Sequence, residues 1–548
     1  MKRKISSLFF SIAVIFIITA CTNQPKNMET ENKLQTKVNE FVEVELISDI
    51  SHLSDNQKEM LGYLFEAGKL MEDIFWKESF GNKEELCSSV TDPVVKEFVK
   101  INFGPWERLN NNQSFVEGIG VKPKGANFYP ADMTKEEFDA FESEDKTSQY
   151  TLIRRDENGE LYTIPFHEAY KEETDKAIEL IRKAAEHAED EGFKKYLTLR
   201  AEALATDDYY ESDVAWMEMK TNAIDFIVGP IENYEDALYG YKAAHESFIL
   251  IKDPVWSKRL DKFAALLPQF QKDLPVAPEY KSEMPGSGSD LGAYDAVFYA
   301  GDCNAGSKTI AINLPNDEKV RLNNGSRKLQ LKNSMQAKFD QILVPISELM
   351  IVEEQRKHIK FDAFFENTMF HEVAHGLGMG NTIEGSLTVR EALQGYYTSI
   401  EEGKADILGL YVVTKLYEMG ELSSGEVMDN FVTFMAGIFR SARFGVASSH
   451  GKANMMRFYF FQEKGAFTRN ETTGEYKVDF DKMKLAMEEL TEKILIIQGD
   501  GNYEEAKAWV EADGLIKETL QKDLDRINAA GIPRDVRFKQ GNEMLGLN

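Results

Sequence analysis

The residues best suited to chemistry lie in Phe370-His371-Glu372-Val373-Ala374-His375-Gly376. His371 and His375 are four apart, which on a helix puts both imidazoles on one face about one turn apart. Two neutral ring nitrogens so placed fill two corners of a tetrahedral Zn²⁺ site. Glu372 stands beside the first of them, where a carboxylate takes a proton from zinc-bound water, and this is the mechanical content of a His-Glu-x-x-His motif. A catalytic zinc usually takes three protein ligands and keeps one position for water. Gly378 fits the longer pattern His-Glu-x-x-His-x-x-Gly-x-x-His, but the last position is Asn381, so a third histidine is missing there. Ser399-Ile400-Glu401-Glu402-Gly403-Lys404-Ala405-Asp406-Ile407 offers a carboxylate instead. Glu402 and Asp406 are again four apart and face one way. Glu402 reads as the third ligand, while Asp406, with Glu401 in a similar supporting role, would hydrogen-bond the far nitrogen of a ligand histidine and fix its tautomer. In isolation that stretch is a solvated helix face; next to the first motif it reads as a ligand set. One Zn²⁺ per chain is expected, although Co²⁺ or Mn²⁺ suits the same ligand types.

With these two motifs in place, the chain resembles the dipeptidyl peptidase III family of zinc metallopeptidases, in a short bacterial lipoprotein form. That family pairs a His-Glu helix with a second helix reading Glu-Glu-Cys-Arg-Ala-Glu, against Glu401-Glu402-Gly403-Lys404-Ala405-Asp406 here. Gly229-Pro230-Ile231-Glu232-Asn233-Tyr234-Glu235-Asp236 is similar to a segment of the family's substrate cleft. Asn304 to Pro315 resembles a cleft strand, and the stretch around His450 resembles one whose histidine helps to stabilise the transition state. Well-known members carry one more residue between the two zinc histidines; the four-residue spacing here suits a regular helix. The resemblance, not the spacing, implies release of dipeptides from the N-terminus. It also makes Glu232 a candidate for cleft work, where a carboxylate suits the free α-amine of a substrate, against the alternative of a carboxylate after a Gly229-Pro230 turn. Asn304 and Asn313 are candidates for peptide carbonyls, with turn-forming and strand-ending as their alternatives. His450, at a helix break, is a candidate oxyanion donor. Tyr396 and Tyr397, between the zinc helices, could donate similarly or pack in the core.

These residues must be positioned by a chain of 548 residues, enough for two or more lobes. With 43% hydrophobic and 28% charged residues the composition is that of a globular protein. A net charge of −28 repels nucleic acid and anionic membrane, so neither is an expected ligand. Lys2, Arg3 and Lys4 precede an apolar run from Leu8 to Ala20 too short for an ordinary membrane span. Ile18-Thr19-Ala20-Cys21 resembles a bacterial lipobox, so residues 1–20 read as a lipoprotein signal peptide and 21–40 as a flexible tether. The chain is then expected in the bacterial cell envelope, periplasmic or on the outer face, touching membrane only through a lipid on Cys21. Cys87 and Cys303 are the remaining cysteines, read as two buried thiols or one bridge.

Residues 41–285 read as a mainly helical region with a β-hairpin at Tyr150 to Phe166, forming part of the cleft. Residues 286–548 read as a β-containing cleft segment, including a hairpin around Asn323-Asn324-Gly325, followed by a helical zinc-binding lobe. The boundary is drawn in the Pro-, Gly- and Ser-rich stretch from Leu274 to Asp290. The fold expected is α+β and mostly α-helical, with two lobes around a cleft: a helical lobe carrying the zinc and a smaller β-containing lobe whose strand edge could bind substrate backbone. The function expected is hydrolysis of oligopeptides by a zinc metallopeptidase. The alternatives are a zinc endo- or aminopeptidase and a catalytically silent peptide-binding lipoprotein.

Overall fold

A computed structural model describes residues 33–284, 289–422 and 425–547; the expected signal peptide at 1–20 and Cys21 lie outside the described residues. Its centre is a five-stranded sheet of β1 (Ile224–Glu232), β2 (Ala244–Lys252), β3 (Ser289–Gly301), β4 (Ala311–Leu314) and β5 (Ser326–Leu331), in the order β1-β2-β3-β5-β4. Only the β3–β5 pair is parallel. Strands β1 to β3 are nearly continuous in buried residues, because helices cover both their faces. On one face lies α1 (Asp55–Ser79), opened by a reciprocal Ser54–Gln57 capping box. Its Leu61, Leu64, Phe65 and Met71 recur at helical spacing and are fully buried. Phe65 meets Phe298 of β3 edge-on at 5.3 Å. Helices α2 (Lys171–His187) and α3 (Glu191–Thr206) complete this lobe, whose core draws on residues from Leu46 to Leu331.

The second core runs from Leu260 to Val536 and is built on α4 (Phe361–Ala374), α5 (Tyr397–Glu418), α6 (Val427–Ala442), α7 (Ser449–Glu463) and α8 (Phe480–Gly499). Helices α4 and α5 are buried over most of their length, polar positions such as Glu366 and Lys404 included, as helices sunk inside a lobe. They pack on each other at Gly409, where a Cβ would lie 2.8 Å from the backbone nitrogen of His371. Only a glycine lets α5 come this near the histidine helix. Among the described residues no helix is long and apolar enough to cross a membrane.

Several expectations need correction. The 285/286 division runs through one sheet: β1 and β2 precede it, while β3, β4 and β5 follow. Between β2 and β3 the chain lends Leu260, Phe263 and Phe270 to the helical core and then returns, so composition marked a loop and not a lobe boundary. Residues 33–39 of the expected tether are helical, with Val38 buried beside Phe41, Phe98 and Ile101, and Phe41–Glu45 pairs in parallel with Asp535–Lys539 near the other end of the chain. The Asn324-Gly325 pair is no hairpin turn: Glu318–Asn324 is a helix capped by Gly325 at φ +79°, although the flanking β4 and β5 do pair antiparallel. Gly229-Pro230 is not a turn either but lies within β1, with a bulge between Pro230 and Glu232. Cys87 and Cys303 are both free, and only Cys303 is buried.

One buried acid gives the fold a pH dependence. Glu366 on α4 is 1% exposed, and burial pushes its carboxyl up to about 7 against the partial relief of an Asn430 Nδ2 hydrogen bond at 3.1 Å. The folded protein therefore binds a proton here that the unfolded chain, at 4.5, has already released. The stability Glu366 confers in its protonated form is full below about pH 4.5 and falls as pH rises through 7. Glu366→Gln keeps the acceptor and removes the titration. In chemical denaturation it is expected to stabilise the protein at pH 8 by about 2 kcal/mol, with little effect at pH 5.

Candidate metal centre

Helix α4 ends at Ala374; His371 and Glu372 sit in its last turn and His375 is its C-cap. The two histidine rings stand edge to face with centroids 4.9 Å apart. Each ring is oriented by a carboxylate from α5. His371 Nδ1 lies 2.8 Å from Asp406 Oδ1, and His375 Nδ1 lies 3.0 Å from Glu401 Oε1. With Nδ1 donating, each ring turns an unprotonated Nε2 toward the interior of the site. There Glu402 Oε2 stands 3.4 Å from His371 Nε2 and 3.9 Å from His375 Nε2. His450, from the first turn of α7, brings its Nδ1 to 2.9 Å from the same oxygen. One carboxylate oxygen of α5 is thus approached by three imidazoles carried on two other helices, α4 and α7.

That arrangement fits a cation. Glu402 Oε2 is buried and has a hydrogen bond to none of the three rings. Two ring lone pairs facing a carboxylate oxygen repel it unless a positive charge lies between them, and two or three imidazole nitrogens with one carboxylate oxygen form a donor set for a divalent transition metal. Burial alone would raise the Glu402 pKa, but the His371 and His450 rings outweigh it and hold the carboxyl far below the usual range. Glu401 is held at about 2, where Lys404 and His375 overcome its burial.

Further partners hold the orienting carboxylates, and the sequence reading missed them. Arg457, 2% exposed, donates from Nη1 to Asp406 Oδ2 and from Nη2 to Asn454 Oδ1 at 2.6 Å. Asn454 donates to the His450 carbonyl at 2.9 Å, so the His371 and His450 arms share one polar chain. Gln498 of α8 donates to Glu401 Oε2 at 2.9 Å. Lys404, 3% exposed, pairs with Glu401 at 2.9 Å and donates to the carbonyls of His375 and Leu377 beyond the end of α4. No spacing rule marks Arg457 or Gln498, which come from turns 51 and 97 residues downstream of their partners.

The remaining candidates divide. Asn313 is exposed on β4, the sheet's edge, directly opposite Lys328 of β5. Lys328 Nζ in turn lies 2.5 Å from the Glu372 carbonyl and 4.0 Å from its Oε2, so Asn313 belongs to the strand pair that abuts the histidine helix. Glu232, at the end of β1, is half-buried, and the partial loss of solvent raises its pKa against an Asn316 hydrogen bond that lowers it. Tyr234, 81% exposed two residues on, lies within electrostatic range of both Glu232 and Glu402. Asn304 turns its amide to Glu72 of α1 at 3.4 Å, inside its own lobe. Tyr396 is drawn away to Glu511 at 2.7 Å, whereas Tyr397 lies near Glu401 and Glu402 with Arg390 over its ring.

Two lobes, a pair of packed helices presenting imidazoles and carboxylates to one point, and a free strand edge beside them define a metallopeptidase. The sequence model of Peptidase family M49 matches residues 140–387, which include His371, Glu372 and His375. The solved structure of dipeptidyl peptidase III from Caldithrix abyssi superposes with a TM-score of 0.89 at 40% identity, covering 93% of this chain and 99% of that one. Dipeptidyl-peptidase III from Corallococcus sp. strain EGB does so at 0.79 and 33%, covering 93% and 97%. An Arabidopsis thaliana protein named Nudix hydrolase 3 is 34% identical over 568 residues, 92% of this chain and 73% of the relative. The chain belongs to peptidase family M49, the dipeptidyl peptidase III family.

Proposed function

We propose that the protein is a zinc-dependent peptidase that releases dipeptides from the N-terminus of oligopeptides. The observation that carries the reading is the buried Glu402 oxygen, without a hydrogen bond, among the His371, His375 and His450 nitrogens, with the Glu372 carboxylate on the residue next to His371. His371, His375 and Glu402 would hold the metal. Bound there, a zinc ion acidifies water and polarises a scissile carbonyl. Glu372 takes the proton that the attacking water gives up and passes it to the leaving amine. His450, whose side chain is 63% exposed, and Tyr397 are placed to donate to the oxyanion that forms.

The peptide docks as an added strand on β4, the edge strand, which among the described residues pairs with β5 alone. Asn313 meets it there, and Glu232 takes its α-amine. That division of labour limits cleavage to a fixed distance from the free N-terminus. The full-length likeness to two dipeptidyl peptidase III structures supports this specificity. An oligopeptide offered with a free and then an acetylated N-terminus tests it, with products read by mass spectrometry. Dipeptides are expected from the free form alone. Internal cleavage of both forms would make the protein an endopeptidase, single residues an aminopeptidase, and no cleavage with metal bound a peptide-binding protein.

The lipobox-like Ile18-Thr19-Ala20-Cys21 supports a lipid-anchored place in the bacterial cell envelope. Fractionation of the Cys21→Ser chain tests this: the protein should move from the membrane to the soluble fraction.

A further inference from the structure

Lys328 stands between the sheet lobe and the reacting end of α4. The last carbonyls of a helix have no partner within it. Here those of Val373 and Ala374 accept from Gly376 and Leu377, both at 3.0 Å, in a tightened final turn. Those of His375 and Leu377 accept from Lys404. The Glu372 carbonyl accepts from Lys328, which reaches it from β5 in the other lobe. Lys328 is 6% exposed, and burial together with the nearby charge of Lys404 lowers its pKa. A second buried ammonium at one helix end is costly, and capping alone does not require it, because water can satisfy a terminal carbonyl.

The placement has a consequence for the substrate. Lys328 and Asn313 are directly opposite on an antiparallel pair, so their side chains share a face. Strands lie about 4.8 Å apart, so a peptide added outside β4 lies about 10 Å from β5. The backbone that sets the peptide's register and the ammonium that holds Glu372 therefore belong to one strand pair. We propose that Lys328 is a positioning residue: by holding the Glu372 main chain and flanking its carboxylate, it fixes the general base at a set distance from the edge strand on which the peptide docks. This rests on the reading of Glu372 as base and β4 as docking edge given above.

The test compares Lys328→Met, which fills the space without charge, with Lys328→Arg, which restores a donor. Steady-state kinetics, metal content and calorimetric peptide binding in a Glu372→Gln background are measured on the full mature chain. Lys328→Met is expected to lose about 10²-fold in kcat, the scale for a misplaced catalytic group, with KM nearly unchanged. Metal stays at one per chain, since Asp406 and Glu401 orient the histidines without help from Lys328. Peptide affinity in the Glu372→Gln background is unchanged, and Lys328→Arg recovers most of the rate. Wild-type kcat in Lys328→Met overturns the proposal. So does loss of metal or of peptide affinity alongside the rate, or equal loss in the arginine variant, because each makes Lys328 a structural lysine. A wild-type enzyme that cleaves no peptide fails earlier, at the proposed function itself.

Discussion

Glu372→Gln is expected to abolish peptide hydrolysis while leaving the site assembled. The substitution changes one carboxylate oxygen to an amide in the last turn of α4 and keeps the side chain's shape. The Glu372 side chain's charged neighbour is Lys328 Nζ, 4.0 Å away, and the closer Lys328 contact goes to the main-chain carbonyl, which the substitution does not touch. The proposed ligands His371 and His375 are oriented by Asp406 and Glu401, not by Glu372. Metal content, thermal unfolding and affinity for an uncleaved peptide should therefore match wild type. What is lost is proton transfer from water and to the leaving amine, and a positioned general base contributes about 10²–10⁴-fold. With Glu372 proposed for both steps, the loss should lie at the upper end. A glutamine variant that turns over at more than a tenth of the wild-type rate would assign the proton transfers to another group, with His450 the nearest alternative.

The second large effect is on metal retention. Glu402→Gln removes the one anionic donor from the proposed ligand set, whose other donors are neutral imidazoles. Altering a partner that merely orients a metal ligand costs about 10–100-fold in affinity, and loss of the charged ligand itself should exceed that range. The change also shows in stability. A metal present at 1,000 times its dissociation constant stabilises the folded chain by about 4.1 kcal/mol. A variant more than about 100-fold weaker keeps less than about 1.4 kcal/mol of this at the same concentration. Melting temperature as a function of added Zn²⁺ should rise steeply for wild type and stay nearly flat for Glu402→Gln. The metal-free proteins should melt alike or the variant slightly higher, because the buried Glu402 oxygen lacks a hydrogen bond. Equal metal titrations would remove Glu402 from the ligand set and leave His371, His375 and His450 to hold the cation.

The local sequence determined what depends on helical spacing. The four-residue intervals of His371 to His375 and Glu402 to Asp406 fix which side chains share a face, and both pairs do lie on or at the end of helices, α4 and α5. The Thr151–Arg155 and Leu161–Pro165 strands and their turn were legible for the same reason, since alternation and turn residues act over a few positions. The tertiary structure decided everything that requires two distant segments to meet. That His450 joins Glu402 follows from α7 crossing α5, which a helix break in the sequence could not convey. Gly409 reads as a weak point in an apolar run and proves to be the place where two helix backbones nearly touch. Arg457, Gln498 and Lys328 are unremarkable charged or polar residues in sequence, and each gains its role by burial against a partner in another element. The lobe boundary escaped for the same cause: strands separated by an excursion into the helical core pair in one sheet, and hydrogen bonding between strands leaves no mark in the composition of the chain that joins them.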